Sequence, residues 1–268
     1  MNLGSIIDGH DDDRVAVLSR GRPTTYGVLR RQVGGLRAGL TELGLCQGDR
    51  VAIIASNNRY FVVGYLAVVG AGMVAVPIDP TTPALAVKEE LDAVQARALI
   101  AGPSARALVT ANTEGALDDV EFVIGCGFTP EGGTTFEKLI ECEPTDRVEL
   151  DGDAPAVLAF TSGTAGSPKP AILSHAALSV NIEQQKASAE DRVRADDVTL
   201  GVAPLSHIMG LNSVLSSSLS VGASTLLIER FDPVLALESM QKHGVTVAVG
   251  PPTMWSSWLN LPDLPADV

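Results

Sequence analysis

Short apolar runs alternate with amphipathic helical patterns through most of the chain, and this alternation is the feature that most constrains the fold. Strand-like apolar runs occupy residues 50–55, 73–78 and 98–101, with helical patterns between them. Buried strands joined by helices form mostly parallel sheets that helices cover on both faces. The sequence therefore predicts an α/β fold, with a first subdomain at residues 1–150 and a second at residues 151–268.

The composition is that of a globular protein, and its charge argues against some classes of binding partner. Hydrophobic residues make up 46% and charged residues 19% of the 268 residues, which is atypical of a disordered chain. The formal net charge of −13 argues against a nucleic acid or an anionic membrane as the main partner. The three cysteines show no metal-ligand spacing, and the N-terminus shows no export leader. We therefore expect reduced thiols in a cytoplasmic protein.

One uncharged run, residues 61–78, is long enough to raise the question of a membrane span. Gly64, Gly70, Gly72 and Pro77 interrupt this run. Its first half has a helical pattern, whereas its end alternates like a strand. The sequence favours a buried helix followed by a buried strand, with a membrane span as the alternative.

A loop of small hydroxyl and glycine residues, residues 161–167, separates two apolar runs. Gly163 and Gly166 allow backbone N–H groups to turn inward, and Lys169 supplies one mobile positive charge. Further hydroxyl donors come from Thr161, Ser162 and Thr164. This combination predicts a loop that binds a polyphosphate; the alternative is a polar surface turn.

The loop is not a P-loop of the common type. That motif places a Lys directly before a Ser or Thr at the start of a helix, whereas Lys169 stands between Pro168 and Pro170. Proline has no N–H to donate to a phosphate. The predicted arrangement is instead a strand before the loop, a second strand after it, and a helix with Ser174 as its N-cap.

The segment 161–169, Thr-Ser-Gly-Thr-Ala-Gly-Ser-Pro-Lys, resembles the phosphate-loop motif of the adenylate-forming enzymes. These include acyl-CoA synthetases, nonribosomal-peptide adenylation domains and firefly luciferase. Ala165 stands where the family usually has Thr, and Pro170 stands where it usually has Gly. The sequence therefore departs from the family motif at these two positions.

A second motif supports the same resemblance. Pro204-Leu-Ser-His207 with Gly210 is similar to the Pro-Leu-x-His-x-x-Gly motif of acyl-CoA synthetases. Residues 48–77 and 245–254 also resemble family segments. The chain is identified on these motifs as the N-terminal portion of an adenylate-forming, AMP-binding enzyme.

The resemblance implies a layered α/β/α/β/α fold and an ATP-dependent acid–thiol ligase. In the family a substrate carboxylate attacks the α-phosphate of ATP, which gives an acyl-adenylate and pyrophosphate, and a thiol such as coenzyme A then takes the acyl group. ATP, Mg²⁺ and coenzyme A are thus expected, with a carboxylic acid, preferably a fatty acid, as substrate. Such catalysis depends mainly on positioning and on charge stabilisation.

The resemblance also assigns roles to individual residues. Thr161 would reach the metal ion, and His207 would be the catalytic residue beside the carboxylate pocket, although spacing alone favours a histidine bonded to a backbone carbonyl. The nucleotide phosphates would contact Thr161, Ser162, Gly163, Thr164, Ala165, Gly166 and Lys169. The acyl pocket would be lined by His207, Met209, Gly210, Leu211, Gly250, Pro251, Thr253 and Met254.

Several parts of the family pattern do not occur in these 268 residues: the Tyr-Gly-x-Thr-Glu motif, the ribose-binding Asp, and the C-terminal lid domain with its catalytic Lys. We therefore expect the N-terminal part of a ligase, inactive without its other half, that exposes apolar surface and self-associates or binds that half. The alternatives are a degenerate stand-alone paralogue that binds a ligand or partner without turnover, or a fragment of an acyl-AMP ligase or adenylation domain.

Overall fold

The computed structural model describes residues 1–160, 168–188 and 193–262. The predicted phosphate-binding residues Thr161, Ser162, Gly163, Thr164, Ala165 and Gly166 lie outside the described residues, and Lys169 lies within them. The strands of the described part are β1 (Val15–Ser19), β2 (Arg22–Thr25), β3 (Arg50–Ile54), β4 (Val74–Ile78), β5 (Ala98–Ala101), β6 (Phe122–Gly125), β7 (Thr134–Thr135), β8 (Pro155–Phe160), β9 (Pro170–Ser174), β10 (Val198–Gly201), β11 (Ser224–Leu227) and β12 (Val247–Ala248).

The helices begin at side-chain caps at several sites: Thr25, Asn58, Ser174 and Asp232 each accept a backbone N–H of the following turn. A π-helical segment, Met209–Ser216, precedes one short α-helix. The α-helices of the described part are α1 (Tyr26–Glu42), α2 (Arg59–Gly70), α3 (Ala84–Val94), α4 (Arg106–Ala111), α5 (Phe136–Leu139), α6 (His175–Ala187), α7 (Ser217–Ser220), α8 (Pro233–His243) and α9 (Pro252–Leu259).

The described strands form two mostly parallel sheets. One has seven strands in the order β7-β6-β5-β3-β4-β8-β9, and the other has five in the order β12-β10-β11-β1-β2. Only the edge pairs β1–β2 and β8–β9 are antiparallel among the described strands. Each sheet contains strands from before and after residue 150, so the boundary predicted there does not separate the two sheets.

Side-chain alternation along the strands divides the apolar residues into layers. Val51 and Ile53 of β3 belong to the main core, which lies between the sheets and contains α1, α2 and α6. Ala52 and Ile54 of the same strand belong to a second core under α3. Because successive side chains point to opposite faces of a sheet, one apolar strand serves both cores.

A third core completes the layering. Leu200 of β10 and Leu226 of β11 pack with Leu237 of α8 and Trp258 of α9 on the outer face of the five-stranded sheet. The order from one side to the other is therefore helix, sheet, helix, sheet, helix. This confirms the predicted α/β/α/β/α fold.

The uncharged run at residues 61–78 separates into α2 and β4, as the sequence favours. Phe61 and Val68 of α2 have no exposed surface, because the helix lies inside the main core. None of the described helices is long and apolar enough to cross a membrane. The apolar character of this run is thus explained by burial between two sheets.

Some elements differ from the sequence prediction. β2 has no apolar alternation and contains Pro23, yet it pairs with β1 because an edge strand tolerates proline. β7 and α5 lie within residues 126–155, where the sequence has only weak strand and helix patterns. The two tryptophans of α9 differ in burial, since Trp258 is buried whereas Trp255 is 44% exposed.

Candidate active site

Asn57 joins the loop after β3 to the loop after β10. Its Nδ2 donates to the carbonyl oxygens of Gly201 at 3.0 Å and Ala203 at 2.9 Å, and its Oδ1 accepts the N–H of Leu205 at 2.9 Å. The side chain is buried, so these hydrogen bonds form away from water. Asn57 therefore fixes the backbone just before His207 against the seven-stranded sheet.

Asp79 follows the carboxyl end of β4 and contacts the same loop. The Ser206 hydroxyl donates to Asp79 Oδ2 at 3.3 Å, and the hydroxyl and N–H of Thr81 donate to Oδ1 at 2.6 Å and 2.8 Å. Burial opposes the charge of Asp79, but the hydrogen bonds from Thr81 and Ser206 and the charge of His207 outweigh it, so the pKa of Asp79 is lowered. An ionised carboxylate thus faces the segment that carries His207.

Glu90 of α3 is a second carboxyl group near this loop. Burial, followed by repulsion from Asp79, raises the pKa of Glu90 to about 7. The pKa values of the two carboxyl groups are displaced in opposite directions. Hydrogen bonds, such as the one from the Thr81 hydroxyl, stabilise the charged form of Asp79, whereas the pKa of Glu90 is raised by burial and by the charge of Asp79. Separated pKa values of this kind are frequent at functional sites.

His207 lies on a tight turn that leads into the π-helical segment. Its N–H donates to the carbonyl oxygen of Pro204 at 3.0 Å, and its own carbonyl oxygen accepts the N–H of Leu211 at 2.9 Å. The His207 side chain is exposed. Segments of π-helix are rare and often occur at functional sites, and here one begins at Met209.

Gly210 is required by the close approach of the chain to itself. A Cβ at this position would lie 2.5 Å from the carbonyl oxygen of Ala203 and nearer still to that of Pro204. Both contacts are to backbone atoms, which cannot rotate away. The glycine of the Pro-Leu-Ser-His-Ile-Met-Gly motif thus closes the turn that displays His207.

The residues predicted to line an acyl pocket divide into two groups. Leu211 lies in the main core and Met254 in the core under α8 and α9, both buried. His207, Met209, Pro251 and Thr253 are exposed. Leu211 and Met254 face cores because the π-helical segment and α9 each turn one apolar face inward.

Sheet pairing relates the two segments that carry these residues. β10 and β12 are parallel neighbours, with Leu200 opposite Ala248. The chain leaves β10 toward His207 and leaves β12 toward Gly250, which is half-buried. Both segments therefore start from the same edge of the five-stranded sheet.

Lys169 lies at the same end of the molecule as Asp79. β8 runs parallel to β4, with Val157 opposite Ala75, so both strands end at one edge of the seven-stranded sheet. Lys169 is exposed and immediately precedes β9, whose Pro170 pairs with Phe160. Lys169 therefore lies at the same edge of the seven-stranded sheet as Asp79, which contacts the His207 loop through Ser206.

Sequence reasoning missed the polar residues that hold this edge together. Asn57, Asp79 and Glu90 were not identified as site residues, although Asn57 and Asp79 each follow a buried strand. Polar residues at the carboxyl ends of parallel strands commonly contribute to binding sites. That position was the available signal, whereas the partner of each side chain depends on a segment more than 100 residues away.

Polar groups thus converge at the carboxyl ends of strands from two layered sheets, which is where α/β proteins commonly bind ligands. The chain belongs to the AMP-binding enzyme family, whose model matches residues 7–267. This confirms the resemblance to the adenylate-forming enzymes.

Individual relatives agree with that assignment. The chain is 30% identical over 244 residues to 4-coumarate–CoA ligase 3 of Arabidopsis thaliana, a match that covers 89% of this chain and 43% of that protein. Among solved structures, a benzoate CoA ligase from Burkholderia xenovorans LB400 superposes with a TM-score of 0.86 at 25% identity, covering 99% of this chain and 53% of that one.

ATP-bound MatB from Rhodopseudomonas palustris superposes with a TM-score of 0.82 at 26% identity, covering 98% of this chain and 52% of that chain. The chain thus spans about half the length of the relatives it matches.

Proposed function

We propose that this chain is the N-terminal, substrate-binding part of a carboxylic acid–CoA ligase. The observation that carries the proposal is the junction of Asn57 and Asp79 with the His207 loop, because it unites the ends of strands from both sheets. Lys169 belongs to the same edge. The names of the relatives, 4-coumarate–CoA and benzoate CoA ligases, supply the reaction class.

In the proposed reaction, ATP is the substrate that the carboxylate attacks at its α-phosphate. Lys169 would neutralise charge on the β- and γ-phosphates, together with the backbone of residues 161–167. His207, exposed on its turn, would border the carboxylate of the acid. The rigid attachment of its backbone through Asn57 would reduce the entropy lost when the acid is positioned.

A metal-binding role is carried by Thr161 alone, which lies outside the described residues. Within residues 1–160, 168–188 and 193–262, no group of three His, Cys, Asp or Glu side chains could hold a metal ion. Mg²⁺ therefore remains a prediction, and no step is assigned to it. Coenzyme A as the acceptor rests on the names of the relatives, and the cytoplasmic location rests on the sequence.

We propose that the substrate is a carboxylic acid that carries an apolar chain or an aryl group. The sequence favours a fatty acid, whereas the named relatives take 4-coumarate and benzoate. The residues proposed to line the acyl pocket include Met209, at the start of the π-helical segment, and Thr253 of α9, and both are exposed. Both acid types belong in the test.

ATP–pyrophosphate exchange tests the proposal directly. Exchange that depends on 4-coumarate, benzoate or decanoate is expected when the 268-residue chain is supplied with the downstream half of the ligase. Lys169→Ala should lower it by about 10²-fold, because a positioned charge on a reacting phosphate is worth roughly that much. Lys186→Ala is the matched control, since Lys186 pairs with Glu183 on the surface of α6.

The exchange assay also separates the proposal from a binding-only protein. Absence of exchange with every acid, together with retained binding of one acid in calorimetry, would replace the ligase with a ligand-binding paralogue. Absence of both would remove the proposed function.

A further inference from the structure

A cavity lies at the β1–β2 hairpin and the start of α2. Its volume is about 550 Å³, which falls within the usual range for small-molecule sites. It is lined by Ser19, Arg20, Arg22, Pro23, Thr24, Val28, Gln32, Asn58, Arg59 and Tyr60. We call it the arginine cavity. None of these lining residues is acidic, although the whole chain has a net charge of −13.

Two of the three arginines have no carboxylate partner among the described residues. Arg59 donates from Nη1 to Gln32 Oε1 at 3.2 Å and lies 4.9 Å from the centre of the Tyr60 ring. Arg22 is exposed on β2 and takes part in no ion pair of the described part of the chain. The cavity therefore holds two positive charges that no side chain described here neutralises.

Arg20 presents a third guanidinium, which is engaged by a carboxylate. Its Nε and Nη2 donate to the two oxygens of Glu229 at 2.6 Å and 2.9 Å. This is the paired geometry with which arginine binds carboxylates and phosphates. Glu229 thus occupies one arginine fork of the cavity and would compete with an incoming anion.

Asn58 is the N-cap of α2 and also lines the cavity. Its Oδ1 accepts the N–H groups of Tyr60 and Phe61 at the start of α2. Its Nδ2 is buried and has no hydrogen-bond partner in the described structure. A buried donor without a partner is costly.

From the three guanidinium groups and the absence of acidic residues in the lining, we infer that the arginine cavity binds a phosphate-bearing small molecule. Arg22 and Arg59 contact the phosphate oxygens, and Arg20 joins them when Glu229 releases it. Lys169 is not among the lining residues, and the inference does not depend on the proposed ligase function.

Calorimetric titration with pyrophosphate and with ADP tests the inference, at constant ionic strength. The double variant Arg22→Gln/Arg59→Gln should weaken binding at least about 10-fold, since hydrogen bonds to charged groups contribute on this scale. Arg194→Gln, which removes an exposed arginine outside the cavity, should leave binding unchanged. Lys169→Ala should retain this binding, which distinguishes the cavity from the proposed ATP site.

The Glu229→Gln substitution should strengthen binding, in contrast to the double variant. Removal of the carboxylate frees Arg20, so pyrophosphate should bind at least about threefold more tightly. Tighter binding of ADP than of pyrophosphate would identify a nucleotide as the source of the phosphate, and the reverse would identify an inorganic anion. Equal affinity of the wild type and the double variant, with the double variant folded by circular dichroism, would overturn the inference.

Discussion

The Asn57 side chain accepts the Leu205 N–H at 2.9 Å while its amide donates to the carbonyl oxygens of residues 201 and 203. One short side chain thereby satisfies three backbone groups of a segment almost 150 residues away. Because Leu205 and Asn57 are both buried, water cannot replace these bonds. The position of His207 consequently depends on a residue of the other sheet.

Asn57→Ala is expected to lower the free energy of unfolding by about 2–4 kcal/mol. The substitution leaves the Leu205 N–H and the Ala203 carbonyl oxygen without partners in a buried position, which costs about 1–3 kcal/mol for each group. Urea unfolding measures the change. Asn260→Ala removes an exposed hydrogen bond to Ser256 and should change stability by less than about 0.5 kcal/mol; equal effects would contradict the role given to Asn57.

Gly210→Ala should destabilise the protein by about 2 kcal/mol or more, because the new Cβ meets two backbone carbonyl groups. Gly64→Ala is the matched control. There the nearest atom is the end of the flexible Ile100 side chain at 3.3 Å, and α2 gains helix propensity of about 1 kcal/mol. Thermal unfolding compares the two variants, and a smaller effect at Gly210 than at Gly64 would refute the tight-turn explanation.

His175 makes stability depend on acid. It is fully buried, its Nδ1 accepts the Leu3 N–H at 3.0 Å, and burial, aided by the N-terminal charge, lowers its pKa from 6.5 to about 4. The unfolded histidine binds its proton below pH 6.5 and the folded one does not until about pH 4. Stability from His175 is therefore present above pH 6.5 and is lost as the pH falls, by about 3 kcal/mol at pH 4.

The measurement for His175 is urea unfolding at pH 4.5 and pH 7.5. His175→Gln should reduce the difference between these two pH values, whereas His243→Gln, at the end of α8, should leave the wild-type difference intact. Identical pH dependence in wild type and His175→Gln would show that other groups cause the acid sensitivity.

Glu90 makes stability depend on pH in the direction opposite to that of His175. The unfolded carboxyl group loses its proton near pH 4.5, while the folded group keeps it to about pH 7, so stability from Glu90 is lost as the pH rises between these values. Glu90→Gln should be more stable than wild type at pH 8 by about 1–2 kcal/mol, allowing for partial exposure, and equal to it near pH 4. Glu89→Gln, an exposed neighbour on α3, should show no such gain; a gain there would indicate a general charge effect.

Much of the fold was predictable because its signals are local. The patterns of β3, α2, β4 and β5 are visible within a few residues each, and burial of those strands on both faces made their sequences continuously apolar. β2 and β7 were not predictable, because each is a short edge strand held by a neighbour rather than by its own composition. Leu211 and Met254, which the resemblance assigns to an acyl pocket, are buried in cores because packing decides the rotation of a helix, and their pocket role stays a prediction.

The sequence by itself determined the family, the parallel α/β layering and the motif that ends at Gly210, since these depend on residue type and spacing. Only the tertiary structure decided that Asn57 and Asp79 hold the His207 loop, that His175 is buried neutral, and that Arg20, Arg22 and Arg59 share one cavity. Each of these depends on contacts between segments distant in sequence. The type of a residue determines which groups its side chain can bind, whereas only the packed chain determines which of those groups lies within hydrogen-bonding distance.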